Sequence, residues 1–143
     1  MPINSYTVGR DLTLTIVADG EPVSFDQIVG FQAKQEKIVQ KIKGLDGVTR
    51  NVSFPDGWSG RFSLERQDRT LDDFFNQEEA DYYEGVDRGE ITITETVTEN
   101  DGSVAQYRYR GVQLMLDDAG EFKGDSSVKQ TMNFTATRRV TIA

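Results

Sequence analysis

Residues 31–54 read FQAKQEKIVQKIKGLDGVTRNVSF, and the layout of this run decides the shape of the chain. Apolar and polar residues alternate along it, the period-two pattern of strands with unlike faces. Val29, Phe31 and Ala33 hold one parity, while Ile38 and Ile42 resume on the other. That switch predicts a β-bulge near Glu36 or Lys37. Asp46-Gly47 supplies a tight turn, because glycine accepts the positive φ that a hairpin turn needs. Val48, Val52 and Phe54 lie on the returning strand. The tip, KGLDGVTRNV over residues 43–52, is polar with isolated apolar residues and looks too long for a simple hairpin in a small sandwich. The run is therefore expected to project, over about residues 36–56.

The same run is locally basic, with Lys34, Lys37, Lys41, Lys43 and Arg50. Interleaved aromatics are missing, so it makes a poor platform for single-stranded nucleic acid. Two readings stay open. One is an electrostatic seam with an acidic neighbour, a further copy of the chain included. The other is a solvated strand face whose lysines block aggregation.

Outward from this run, three segments repeat the alternation. In 12–18, Leu12, Leu14, Ile16 and Ala18 share a face and Thr13 and Thr15 oppose them. In 91–98, Ile91, Ile93 and Val97 share a face interrupted by Glu95, against Thr92, Thr94, Thr96 and Thr98. In 128–142, Val128, Met132, Phe134, Ala136, Val140 and Ile142 are expected together. Lys129, Thr131, Asn133, Thr135, Thr137, Arg139 and Thr141 are expected to face away. Such strands suit antiparallel sheets with one dry and one wet face. Four Asp-Gly pairs, at 19–20, 46–47, 56–57 and 101–102, read as hairpin turns between them. One segment is helical, TLDDFFNQEEADYYEG over residues 70–85. Thr70 with Asp73 resembles a capping box, and Gly85 ends the helix. Leu71, Phe74, Phe75, Tyr82 and Val86 are expected to form one apolar side, lying across a sheet or plugging the end of a barrel. About seven strands and one helix result.

The chain has 143 residues and a mass of 16.1 kDa, which fits one domain with a core large enough to need no staple. Its net charge is −8, a field that repels phosphate and gives no attraction to anionic lipid. It contains no His and no Cys, which excludes Ser-His-Asp and Cys-His catalysis, Cys/His zinc sites, haem and iron–sulfur ligation. No apolar run approaches a membrane span, and the first residues lack the layout of a signal peptide, so no membrane association or export is expected.

Clusters that suggest chemistry have simpler explanations. Asp72, Asp73, Glu78, Glu79, Asp81 and Glu84 could supply a glycosidase pair, but a solvated helix face explains their spacing better. Asp117, Asp118, Glu121 and Asp125 miss the spacing of a calcium loop and read as an acidic turn. Trp58 could stack on a ligand or anchor an interface, although a place at the core edge is commoner. Tyr107 and Tyr109 alternate with Arg108 and Arg110, giving a strand with one aromatic and one basic face. No catalytic, cofactor-binding or metal-ligating residue is assigned, and no cofactor. The chain reads as a building block rather than an enzyme.

Three stretches carry a resemblance: YTVGRDLTLTIVADG at the start, the run at 31–54, and VKQTMNFTATRRV at the end. With the helix between them, this order resembles the tail tube proteins of contractile-tailed bacteriophages, a superfamily that includes type VI secretion tubes. The resemblance covers nearly the whole chain and rests on order and texture, without a signature motif. It implies an all-β fold with one helix: a small antiparallel β-sandwich or half-barrel, a single domain over residues 1–143, with a projecting hairpin. It further implies hexameric rings, closed by β-pairing between copies and stacked into a tube that conducts DNA into the host without binding it specifically. In that family the hairpin packs on the adjacent ring, which makes Leu45, Val48, Val52 and Phe54 candidate ring–ring contacts. The implied partners are further copies of itself, a tail sheath protein, a tape-measure protein and the baseplate. The implied location is the virion tail, and the host cytoplasm during assembly. Six copies would together carry about −48, suiting a conduit that does not grip its cargo. The Thr-rich strand faces are candidate lumen lining. Alternatives are the tube of a type VI secretion system or a phage-like bacteriocin, and more remotely a carbohydrate-binding β-sandwich, which the scattered aromatics disfavour.

Overall fold

The computed structural model describes residues 6–8, 11–18, 20–23, 28–67, 69–86 and 89–142. Asp19 of the first Asp-Gly pair, and Gly9 and Arg10 of the opening stretch, lie outside them. The elements run β1 (Leu12–Ala18), β2 (Glu21–Val23), β3 (Ile28–Lys43), β4 (Thr49–Glu65), α1 (Thr70–Tyr83), β5 (Ile91–Thr98), β6 (Val104–Asp118), β7 (Lys129–Ala136) and β8 (Arg138–Thr141). Every strand pairing is antiparallel, in the order β2-β1-β5-β6-β7-β4-β3, with β8 also on β6. The eighth strand arises because the last apolar segment breaks at Thr137.

The sheet curls on itself. Phe31 on β3 lies three ladder steps from β6, about 14 Å in a flat sheet. Its ring centroid is nevertheless 6.2 Å from that of Tyr109 on β6. Strand β6 joins the two halves: Val104–Arg110 run between β5 and β8, and Gln113–Asp118 run along β7. At the bend sits Gly111, with φ 64°, against the side chain of Thr137. A side chain there would be strained by the backbone and would meet Thr137. This open, antiparallel half-barrel with a single helix is the architecture expected from the sequence.

Inward residues of both halves form the core. Ile16, Ile93, Tyr109 and Val112 meet Phe62, Leu64, Met132 and Phe134, all almost wholly buried. Phe134 stacks on Phe31 at 5.8 Å and meets Tyr109 edge-on at 5.5 Å. Trp58 packs at the edge of this cluster, edge-on to Tyr109 at 5.9 Å, the commoner of its two readings.

The bend corrects one expectation. Val112 and Leu114 point inward on β6, but so does Tyr109, so the inward parity changes at Gly111. The paired strand changes with it at Thr137. Arg139 stands directly opposite Tyr109 and therefore faces inward, not outward. Val140 and Ile142 consequently leave the apolar face. Val29 also departs from expectation: the register shifts between Ile28 and Gly30, so Val29 is pushed outward and Ile28 packs on the core instead.

The helix is pinned at its first turn. Leu71 enters the core, and Asp72 receives hydrogen bonds from Arg66 at 3.2 Å and from the fully buried Gln130 at 3.0 Å. Thr70 is the first helical residue rather than the cap. The cap position belongs to Arg69, whose guanidinium pairs with Asp73 at 2.9 Å. The last turn closes through Val86 N–H to Asp81 C=O and Gly85 N–H to Tyr82 C=O, a Schellman arrangement.

Candidate assembly surface

Two surfaces stand out, one projecting from the sheet and one on its body. The first is the ribbon formed by the far halves of β3 and β4. Strand β4 pairs with β7 only as far as Trp58↔Ala136, so beyond that point β3 and β4 have only each other. An isolated two-stranded ribbon is at best marginally stable in water.

The ribbon begins at an irregularity between Gln35 and Lys37, where the sequence places a bulge. The extra residue lies on the facing strand: Asp56 and Gly57 together oppose Glu36. The second Asp-Gly pair of the β3–β4 run is thus a bulge, not a turn. Gly57 has φ 93°, and a Cβ there would sit 2.6 Å from the carbonyl oxygen of Ala136. Glu36 accepts a hydrogen bond from Ser59 at 2.8 Å and ties the base together.

The bulge determines which residues share a face. Past it, Ile38 pairs with Phe54, Gln40 with Val52 and Ile42 with Arg50. The alternate pairs are Lys37 with Pro55, Val39 with Ser53, Lys41 with Asn51 and Lys43 with Thr49. One face is therefore mostly apolar, built from Ile38, Ile42, Val52 and Phe54. The other carries Lys37, Lys41 and Lys43. Because β3 has no extra residue, its alternation runs on, and Ile38 and Ile42 share the outer side with Lys34 and Glu36. The apolar side of the ribbon is thus not a continuation of the core.

Of the candidate contact residues, Val52 and Phe54 lie on this apolar face, and Val48 follows in the same alternation beside the turn. Leu45 stands fully exposed at the tip. Ile38 and Ile42 belong with them, a grouping that only the placement of the bulge reveals. The tip is braced by Asp46, which accepts from Val48 N–H at 3.0 Å and from Arg50 at 3.1 Å. Those bonds hold its carboxyl below the ordinary value of 3.8.

The second surface is a groove of 720 Å³ between the end of α1 and the last residues of β6. Phe75, Tyr82, Tyr83 and Val86 line one wall, and Met115 and Leu116 the other. Tyr82 and Tyr83 are each 78% exposed, their rings edge-on at 5.4 Å. The expectation that Tyr82 and Val86 are buried with Leu71 is therefore corrected: the apolar side of the helix is covered only near its start. Adjacent aromatics lie 100° apart on a helix, so Tyr82-Tyr83 in the sequence already implied a broader apolar surface than one buried stripe. Glu78 and Glu79 edge the groove, and the helix's last turn contains no basic residue.

A smaller cluster lies at the bend. Glu95, on the inward face of β5, accepts from Tyr109 Oη at 3.0 Å and from Arg139 at 3.4 Å. The Arg139 guanidinium lies 3.9 Å from the Tyr107 ring centre and 4.9 Å from that of Trp58. The cluster borders a cavity of 400 Å³ that Phe31, Ala33 and Val97 also line. Among the described residues, no group of three or more acidic side chains is placed to hold a metal, and no helix is long and apolar enough to cross a membrane. On the wet side of β1 and β5, Thr13 stands opposite Thr96 and Thr15 opposite Thr94.

No protein-family model and no curated protein sequence matches the chain. Solved structures do. A chain of the sheath/tube terminator of the PVC extracellular contractile injection system, in its extended state, is 14% identical with a TM-score of 0.59, covering 100% of this chain and 98% of that one. A chain of the anti-feeding prophage cap, described as a tube-terminating cap, is 11% identical with a TM-score of 0.61, covering 99% and 94%. A chain of the PVC sheath-tube complex is 11% identical with a TM-score of 0.59, covering 91% and 88%. At these identities the likeness concerns the fold, and over nearly the full length of both chains that fold is tail-tube-like.

Proposed function

We propose that this chain is a structural subunit without enzymatic activity, a single tail-tube-like domain that closes into hexameric rings. Stacked rings form the inner tube of a contractile phage tail and conduct DNA into the host. Its partners are further copies of itself, the tail sheath, the tape-measure protein and the baseplate. It resides in the virion tail and assembles in the host cytoplasm. The observation that carries this reading is the ribbon: a β-arm with one apolar side and two open edges, on a tail-tube-like fold. Such an arm is completed only by another surface. Leu45, Val48, Val52 and Phe54 then serve as ring–ring contacts, and the paired threonines of β1 and β5 are a compact, uncharged lining for the lumen.

Negative-stain electron microscopy at high protein concentration, with and without raised salt, tests the reading. Salt screens repulsion between acidic copies. Hollow six-membered rings or tubes are the expected result. Particles that remain monomeric under all these conditions, and on tail ends supplied as seeds, would overturn it.

The matched structures come from extracellular injection particles, which favours a second reading: the tube of a headless injection device. Nucleic acid inside particles isolated from the producing cell supports the phage tail; its absence, with protein cargo present, supports the device.

A further inference from the structure

We propose that the groove between the end of α1 and β6 is the seat for the arm, residues 36–56, of a second copy. This rests on the tube-subunit reading and adds to it the receiving surface.

Position is the first support. Phe62, Met132 and Leu116 align across β4, β7 and β6, so the groove lies at the level of Phe62. The arm leaves from Trp58 and runs in the opposite direction to its turn. From Phe62 to Thr49 the strand spans about 40 Å at about 3.3 Å per residue. The arm runs away from the groove, so the two cannot meet within one chain. Between copies they meet head to tail, a contact that repeats without closing on itself.

Chemistry is the second support. The arm offers Ile38, Ile42, Val52 and Phe54 on one side and Lys37, Lys41 and Lys43 on the other. None of these three lysines has an ionic partner among the described residues. The groove offers Tyr82, Tyr83, Val86, Met115 and Leu116, edged by Glu78 and Glu79, with Asp117 and Asp118 at the end of β6. The apolar side of the arm meets the apolar walls, and the lysines, rooted on its other side, reach the carboxylates at the rim of the groove with their long stems. The two surfaces are complementary in both respects, and both belong to this chain, so a second copy is the occupant.

The chain contains no cysteine, which makes engineered pairs unambiguous. Leu45→Cys and Tyr83→Cys are prepared separately, mixed and assembled under mild oxidation. The expected product is a cross-link between the two variants within tubes, at least tenfold above either variant alone. In parallel, Lys41→Glu/Lys43→Glu and Glu78→Lys/Glu79→Lys are each expected to raise the concentration needed for tubes at least tenfold. Combined in one chain, the four changes restore it at least partly. Lys41, Lys43, Leu45, Glu79 and Tyr83 are exposed and Glu78 is half-buried, and unchanged thermal unfolding of each variant verifies that the fold is intact. Tubes that form normally with the charge-reversed arm and give no mixed cross-link would refute the seat and leave the tube reading standing. Cross-links only between two Leu45→Cys arms would refute it equally, showing that arms pair with each other. Absence of any assembly in the unaltered chain, even on seeds, removes both.

Discussion

Tyr109 donates its phenolic hydrogen to Glu95 across neighbouring strands, at 3.0 Å, at the bend that joins the two halves of the sheet. Burial first, then the charge of Glu95, holds the phenol above its ordinary value of 10.0. Tyr109→Phe keeps the ring against Phe31, Phe134 and Trp58 and removes only the bond. A loss of about 1 kcal/mol in urea unfolding is expected. The sign of the pH effect follows from the raised value. Unfolded chain deprotonates from pH 10 upward while the folded chain stays neutral, so stability falls as pH rises above 10. In Tyr109→Phe this alkaline loss should be smaller.

Arg139 and Glu95 form a half-buried pair, with side chains 26% and 14% exposed. Removing one partner leaves the other charged within a poorly solvated site. Glu95→Gln and Arg139→Met are each expected to destabilise by about 2 kcal/mol, and the double variant by less than the sum. A double-mutant cycle measures the coupling; strict additivity would show that the pair contributes nothing.

Gly57 is required twice, by its backbone conformation and by its approach to the Ala136 carbonyl. Gly57→Ala is expected to cost about 2 kcal/mol, a size typical of strained backbone positions. The loss should be read by chemical denaturation together with hydrogen exchange. Exchange should rise first in Ile38–Phe54, because the bulge is the arm's attachment to the body.

Asp46 stays ionised to unusually low pH, through the Val48 N–H first and Arg50 second. The bracing of the tip is therefore present above pH 3.8 and is lost as pH falls through the lowered value of Asp46. Carboxyl titration by NMR should place Asp46 below the other exposed aspartates lacking such bonds. Asp46→Ala should bring the acid-induced loosening of residues 44–50 up to neutral pH.

Much of this fold was legible because alternation is a local property. The faces of β1 and β5 and the turn at Asp46-Gly47 follow from residue spacing alone, whereas the bulge lies at the expected level but on β4, so it does not account for the parity of Ile38 and Ile42. Two charges were legible only as anomalies. Glu95 interrupts an apolar face, and Arg139 was expected outside. Each becomes intelligible once the parity change at Gly111 and Thr137 turns Arg139 inward onto Glu95. A change of parity on two strands at once leaves no trace in either strand's own pattern. The groove was hidden for a related reason. Helical spacing indicates that Tyr82 and Val86 lie on one side, but it does not tell whether the sheet extends far enough to cover them. Spacing alone leaves the acidic helix face as a solvated surface and the basic arm as a possible seam; that the arm runs away from the groove appears only when the strand registers are known.

The ribbon also bears on how the free chain behaves in solution. As a free chain, each molecule exposes two unsatisfied backbone edges and a greasy side, features that promote disordered clumping. What separates the molecules meanwhile is mutual repulsion at a net charge of −8. That protection fades as a solution is acidified toward the isoelectric point near 4.5. On the proposed tube reading, the unassembled molecule is the vulnerable form and the completed particle the safe one, so colloidal stability favours prompt use of each newly folded chain over storage.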